Sequence, residues 1–229
     1  MGEFNSFGEF FSFMIDGVRL LWDNRLMLRS GIAQTVYIAA ISLLLSCIGG
    51  LFVGFLRCVK NPVVSFVTRM YLESFRIIPL IVWLFAVFFT LPRLMQGYVG
   101  SQTSAIIVFT LWGSAEIGEM VRGALVSLPA IQRESGAALG LSGIQLYRYV
   151  LLPQAIRRLM PGVINMATRL IKTTSITTLV GVVELFSRGT QIIERTQEPF
   201  AIYTFIFFFF FVLCYPLTLL SRKLEKRAV

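Results

Sequence analysis

Four apolar runs, each long enough to cross a bilayer as a helix, constrain this sequence more than any other feature. They cover roughly residues 31–56, 62–91, 103–125 and 200–220. At a rise of 1.5 Å per residue, about 20 helical residues span the hydrocarbon core. A further stretch, 161–185, is apolar enough to cross but carries Asn165, Arg169 and Lys172. It is read as a fifth helix. The strand-length alternation of a closed barrel is missing. Composition agrees, with 56% of the 229 residues apolar and 14% charged, against about 25% charged in soluble domains. Disorder, a collagen-like fibre and a disulfide-stapled secreted domain are excluded, and an ordinary water-soluble enzyme nearly so. The expected fold class is all-α: a polytopic membrane protein with five transmembrane helices, an amphipathic N-terminal helix and a cytoplasmic loop.

The net charge of +9 does not point to nucleic acid, because no basic stripe alternates with exposed aromatics. Loop cations on the cytoplasmic side of a membrane chain explain it better. One set of loops and ends collects eleven basic residues, among them Arg57, Arg122, Arg133, Arg158 and Arg227, and the other set collects six. The N-terminus is therefore expected outside and the C-terminus in the cytoplasm. Cys47, Cys58 and Cys214 lack metal-ligand spacing and read as plain thiols. With no histidine in the chain, His-based catalysis and imidazole metal sites are gone.

Residues 1–30 form their own segment. Its start is acidic where a secretory leader would be basic, and no cleavage site follows, so a leader is not expected. Phe4, Phe7, Phe11, Met14, Val18 and Leu21 recur at helical spacing. The helix they form lies along the outer interface or packs on protein. The membrane domain then occupies 31–221, and 222–229 form a cytoplasmic tail.

Residues 127–160 are a polar interval full of helix punctuation. Pro129 suits the opening of a helix, and Gly140 suits its left-handed close. Ser142 with Gln145 forms a capping box for a second short helix, which Pro153 limits. The result is a compact knob in which Gly136, Ala137 and Ala138 permit close approach by a partner.

Glu134, Gly140, Val150, Leu152 and Pro153 resemble the EAA loop of ABC importer permeases, with Ser135 and Gly136 in place of its two alanines. Phe75-Arg76-Ile77-Ile78-Pro79-Leu80 resembles the Phe-Arg-x-x-Pro-Leu segment of the polar amino acid uptake permeases. Ala115-Glu116-Ile117 with Arg122-Gly123 is similar to their Ala-Glu-Ile-x-Arg-Gly segment, with two extra residues between the halves. Leu152-Pro153-Gln154-Ala155, Pro161, Asn165 and Lys172-Thr173-Thr174-Ser175 extend the likeness over about residues 31–225. The resemblance implies a permease subunit in the bacterial inner membrane, paired with an identical or homologous permease. Two ATP-binding cassette subunits would drive it, and an extracytoplasmic solute-binding protein would feed it. Glu134, Gly140, Leu141 and Ser142 are the expected contacts to the ATPase. The chain lacks a G-x-x-x-x-G-K-[ST] loop, so ATP and magnesium belong to the partner and no cofactor is expected here.

Charges inside spans are costly unless paired or wetted, which makes each a functional candidate. Glu73 and Arg76 share a helical face and read as a structural ion pair. Pro79 places a kink or break just before it. Glu116, Glu119 and Arg122 are expected to neutralise one another. Arg169 and Lys172 have no acid within a turn, so they face a substrate carboxylate, another helix or a partner subunit. Arg169, Lys172, Asn165 and Thr173 are the candidate substrate residues. A second cation favours acidic amino acids, glutamate or aspartate, with glutamine or another polar amino acid as the alternative. An ion-coupled secondary transporter would need inverted repeats that five spans do not show. An intramembrane hydrolase would be left with only Ser175 and Lys172 as a nucleophile and base.

Overall fold

The computed structural model describes the backbone of residues 7–228 and the side chains of residues 14–226 apart from 133. Phe4, Phe7 and Phe11 of the N-terminal stripe, and the loop cations Arg133 and Arg227, lie outside the described side chains. Helix α1 (Phe7–Asp23) meets α2 (Arg25–Cys58) at Asn24. There follow α3 (Pro62–Ile77), α4 (Leu80–Leu94) and α5 (Ser101–Val126). The polar interval folds as α6 (Ile131–Ala138) and α7 (Gly143–Leu146), and α8 (Leu152–Thr173), α9 (Leu185–Thr196) and α10 (Pro199–Ala228) complete the chain. Among the described residues there is no strand.

Three helices, α2, α5 and α10, are long and apolar enough to cross a membrane unaided, and two bent pairs bring the candidate spans to five if each pair counts as one. The 62–91 run is one such pair, α3 and α4, which turn through 107°. Proline explains where the turn falls. Pro79 has no N–H to continue the ladder, and the residue before it is pushed to extended backbone; Ile78 sits at φ −84°, ψ 127°. The carbonyl of Ser74 accepts from Ile78 N–H at 3.1 Å and from the Trp83 indole at 3.3 Å. Trp83 also stacks on Phe75 with centroids 4.8 Å apart. The break is thus satisfied and packed.

The other pair departs further from expectation. The helix foreseen over 161–185 begins at Leu152 and ends at Thr173. A tight 3-10 turn over 174–180 follows, and the chain reverses at Gly181 with φ +84°. Glu184 then opens α9. This fully buried carboxylate accepts from Phe186 N–H and Ser187 N–H, both at 2.9 Å, and from the Thr178 hydroxyl at 2.7 Å. Five hydroxyl-bearing residues among 173–178 favour local backbone bonding over a longer α-helix.

At the centre, α5 lies along α2 on a seam of small residues. Ser42, Ser46, Gly50 and Gly54 recur every fourth position of α2 and are all buried. A Cβ on Gly50 would stand 2.6 Å from Ile117, and one on Gly54 2.5 Å from Val121. Such contact distances require hydrogen in place of a side chain, the small-xxx-small logic of membrane helix packing. The seam holds α5 in register, and α8 packs along its other side.

A charged face on α5 and a knob at its end

Two carboxylates project from α5 one turn apart. Glu119 sits between Arg57 of α2 and Arg122 of its own helix, at 2.8 and 2.7 Å. Arg57 also donates to the Thr68 carbonyl of α3 at 2.9 Å, so one carboxylate fastens three helices together. Glu116 faces elsewhere. Arg76, in the last turn of α3, and Arg169, on α8, each approach it at 3.2 Å. Glu116 is 12% exposed, while the two guanidiniums are 44% and 45% exposed. Arg169 lies over the Trp112 ring, 4.8 Å from its centroid, a cation–π contact that orients it independently of Glu116.

The structure pairs these charges differently from the expectation along single helices. Glu73 does not pair with Arg76, because Arg76 reaches across to α5 instead. Arg169 takes the interhelical alternative, its acid coming from a helix 53 residues away. The expected trio of Glu116, Glu119 and Arg122 also divides, Glu119 keeping Arg122 and Glu116 taking the two distant arginines. Tertiary packing supplies partners that spacing along one helix cannot show.

Along α8, Asn165, Arg169 and Thr173 stand at four-residue intervals and form one stripe. Asn165 and Arg169 are exposed, and the Thr173 hydroxyl donates to the Arg169 carbonyl at 2.8 Å. Lys172 is exposed too, but it opens into a different space. It lines a groove of about 540 Å³ against α10, with Phe207, Phe211, Tyr215 and Arg222. Among the described residues Lys172 makes no ion pair. The four candidate residues therefore divide between two neighbouring surfaces. Ser175 donates to the Lys172 carbonyl at 3.0 Å, so its hydroxyl is engaged with backbone and no nucleophile–base pair forms.

The knob lies beyond the Glu119 end of α5. Gly140 has φ +72°, and Leu141 N–H reaches the Gly136 carbonyl while Gly140 N–H reaches that of Ala137, both at 3.0 Å. This is a Schellman close of α6. Ser142 and Gln145 make both bonds of the capping box that starts α7. Pro153 does not end α7. The helix passes through a π turn over 147–151 into α8, where Pro153 lies in the first turn. Gly136 is buried against Leu146 rather than offered to a partner, whereas Ala137, Ala138 and Glu134 are exposed. Leu139 and Ile144 are 80% and 81% exposed at the tip. Arg158 of α8 donates to the Ser127 carbonyl at 2.6 Å and fixes the knob's base.

Known permeases resemble this chain over most of its length. The glutamine transport system permease protein GlnP of Escherichia coli K12 is 31% identical over 208 residues, covering 90% of this chain and 95% of that protein. The glutamate/aspartate import permease protein GltJ of the same strain is 29% identical over 189 residues, covering 77% of each. Among solved structures, a chain of an amino acid ABC transporter with histidines superposes with a TM-score of 0.81 over 90% of this chain and 96% of that one. At 22% identity that match speaks for the fold. The sequence pattern described as "Binding-protein-dependent transport system inner membrane component" matches residues 46–229. The chain belongs to this family of multi-pass inner-membrane transport components.

Proposed function

We propose that this chain is the permease subunit of an ATP-driven importer for a polar amino acid and carries no catalytic step itself. One observation supports the reading above all. Arg76 and Arg169 are half-exposed within the helices read as spans, and charges in such a setting face water or protein rather than lipid. The face formed by α3, α5 and α8 therefore lines a path or meets a second permease, and the bilayer covers the apolar remainder. Asn165 and Thr173 extend the same face, and Lys172 borders it. The membrane domain is then 31–221, preceded by an amphipathic N-terminal segment 1–30 and followed by the tail 222–229.

Energy enters at the knob. Glu134, Gly140, Leu141 and Ser142, with the exposed Leu139 and Ile144, suit insertion into a groove of an ATP-binding cassette subunit, two of which would serve two permeases. ATP and magnesium would be held there, and a solute-binding protein would deliver substrate from the other side. Arg57, Arg122 and the knob lie toward one side, while Asn24 and Arg195, joined at 3.0 Å, lie toward the other. This supports an external N-terminus and a cytoplasmic C-terminus. Cysteine labelling at Gly97, Ser142, Thr196 and the C-terminus should then read out, in, out and in.

For the substrate, acidic amino acids are the first reading. Two arginines face one glutamate, leaving a net positive charge, and Lys172 adds a cation on the neighbouring surface against α10. Glutamine is the second reading, favoured by the likeness to GlnP. Uptake in the intact assembly tests both. Arg169→Leu and Arg169→Gln should reduce glutamate or aspartate transport sharply, with a smaller loss for a neutral substrate. Unchanged uptake, or efficient transport of arginine and lysine by the unmutated assembly, would remove Arg169 from the path.

A further inference from the structure

We propose that Arg76, Glu116 and Arg169 form a receptor for the backbone zwitterion of an α-amino acid. The two guanidiniums take its carboxylate, and Glu116, released from them, takes its α-ammonium. The proposal rests on the reading of this face as the path. It adds Arg76 and Glu116 to the substrate contacts and gives each a partner on the substrate.

The distances support an exchangeable site. Both arginine contacts to Glu116 measure 3.2 Å, longer than the 2.7 and 2.8 Å at Glu119 on the same helix. Charge-assisted contacts are strongest at about 2.7–2.9 Å, so the Glu116 contacts are slack. The guanidiniums are half-exposed and the carboxylate nearly covered, so an incoming anion reaches the arginines without first displacing protein. Arg169 keeps its place over Trp112 whether or not Glu116 holds it.

Charge balance favours the exchange. Two cations and one anion carry a net +1, and a zwitterion adds nothing to it. A lone carboxylate would displace Glu116 and leave that acid unpaired in a poorly solvated face, which is unfavourable. A lone amine would find only one anion, already held by two guanidiniums. Both ends of the amino acid are needed together. Side-chain choice then falls to groups outside the trio, with Asn165 and Thr173 nearest on the same stripe of α8.

Binding to the complete permease–ATPase assembly in nanodiscs, with no binding protein added, tests this. The probes are L-glutamine, N-acetyl-L-glutamine without the ammonium, and L-glutamine α-amide without the carboxylate, with the matching L-glutamate set in parallel. In the unmutated assembly each cap should weaken binding at least about tenfold, the scale of one charged hydrogen bond. In Glu116→Gln the acetyl penalty should fall to about threefold or less. In Arg169→Gln the amide penalty should shrink while the acetyl penalty stays. These are ratios within one variant, so a reduced folded fraction does not alter them. An acetyl penalty unchanged by Glu116→Gln overturns the proposal and leaves Glu116 as a structural ion pair. Failure of every uncapped probe to bind the unmutated assembly defeats the path reading itself. Should Glu116→Gln prevent assembly, Arg76→Gln and Arg169→Gln decide the matter through the amide, and an unchanged amide penalty in both overturns the proposal.

Discussion

Glu116 and Glu119 are three residues apart on one helix, and each has two arginines, yet their surroundings differ. Glu119 holds Arg57 and Arg122 at 2.8 and 2.7 Å, with Arg57 only 10% exposed and bound to backbone as well. Glu116 holds Arg76 and Arg169 at 3.2 Å, both nearly half open. The same residue types thus make a fastening in one place and an accessible charged face in the other. Distance and the exposure of the arginines separate the two, not composition, since Glu116 at 12% exposed is itself more covered than Glu119 at 25%. A short, covered ion pair resists exchange because breaking it strands a buried charge. A longer one whose guanidiniums are wetted can pass its cations to another anion more readily, provided the covered acid gains a new partner.

The sharpest way to break the comparison is Glu119→Gln. Arg57 would face Arg122 with no anion between them, and we expect about 3 kcal/mol of destabilisation, read as the largest drop in thermal midpoint among the charge variants. A smaller drop than that of Glu116→Gln would reverse the assignment. Next comes Gly50→Leu on the seam that sets the position of both carboxylates. Its Cβ would meet Ile117 at 2.6 Å, and the overpacking should cost about 2 kcal/mol in the same melting measurement. Gly140→Val should cost about 1 kcal/mol of backbone strain yet abolish transport-coupled ATP hydrolysis, as should Glu134→Lys with less effect on stability. Normal coupled hydrolysis in both would detach the knob from the ATPase. The smallest stability effect belongs to Glu116→Gln, at most about 1 kcal/mol, although uptake should fall at least about tenfold. That combination, stable but inactive, is what distinguishes Glu116 from Glu119.

The sequence by itself determined the features that depend on neighbours along the chain. The apolar runs required membrane helices because backbone polar groups must be satisfied within the segment in hydrocarbon. Pro79 placed the break, Gly140 the left-handed close and Ser142 the capping box, and each occurs at its expected residue. The spans' charges were visible too, but not their partners. Arg169 and Glu116 are 53 positions apart, and Arg76 and Glu116 are 40 apart. Such pairs form only once the seam of Gly50 and Gly54 sets α5 against α2, and α3 and α8 close around it. The 107° turn at Pro79 was likewise legible as a break but not as an angle, because proline removes a hydrogen bond and leaves the direction to packing, here by Trp83 on Phe75. Local sequence fixes which groups must find partners. Only the tertiary structure decides which partners they find, because in a low-dielectric interior charges pair across space with whatever the helix packing brings near.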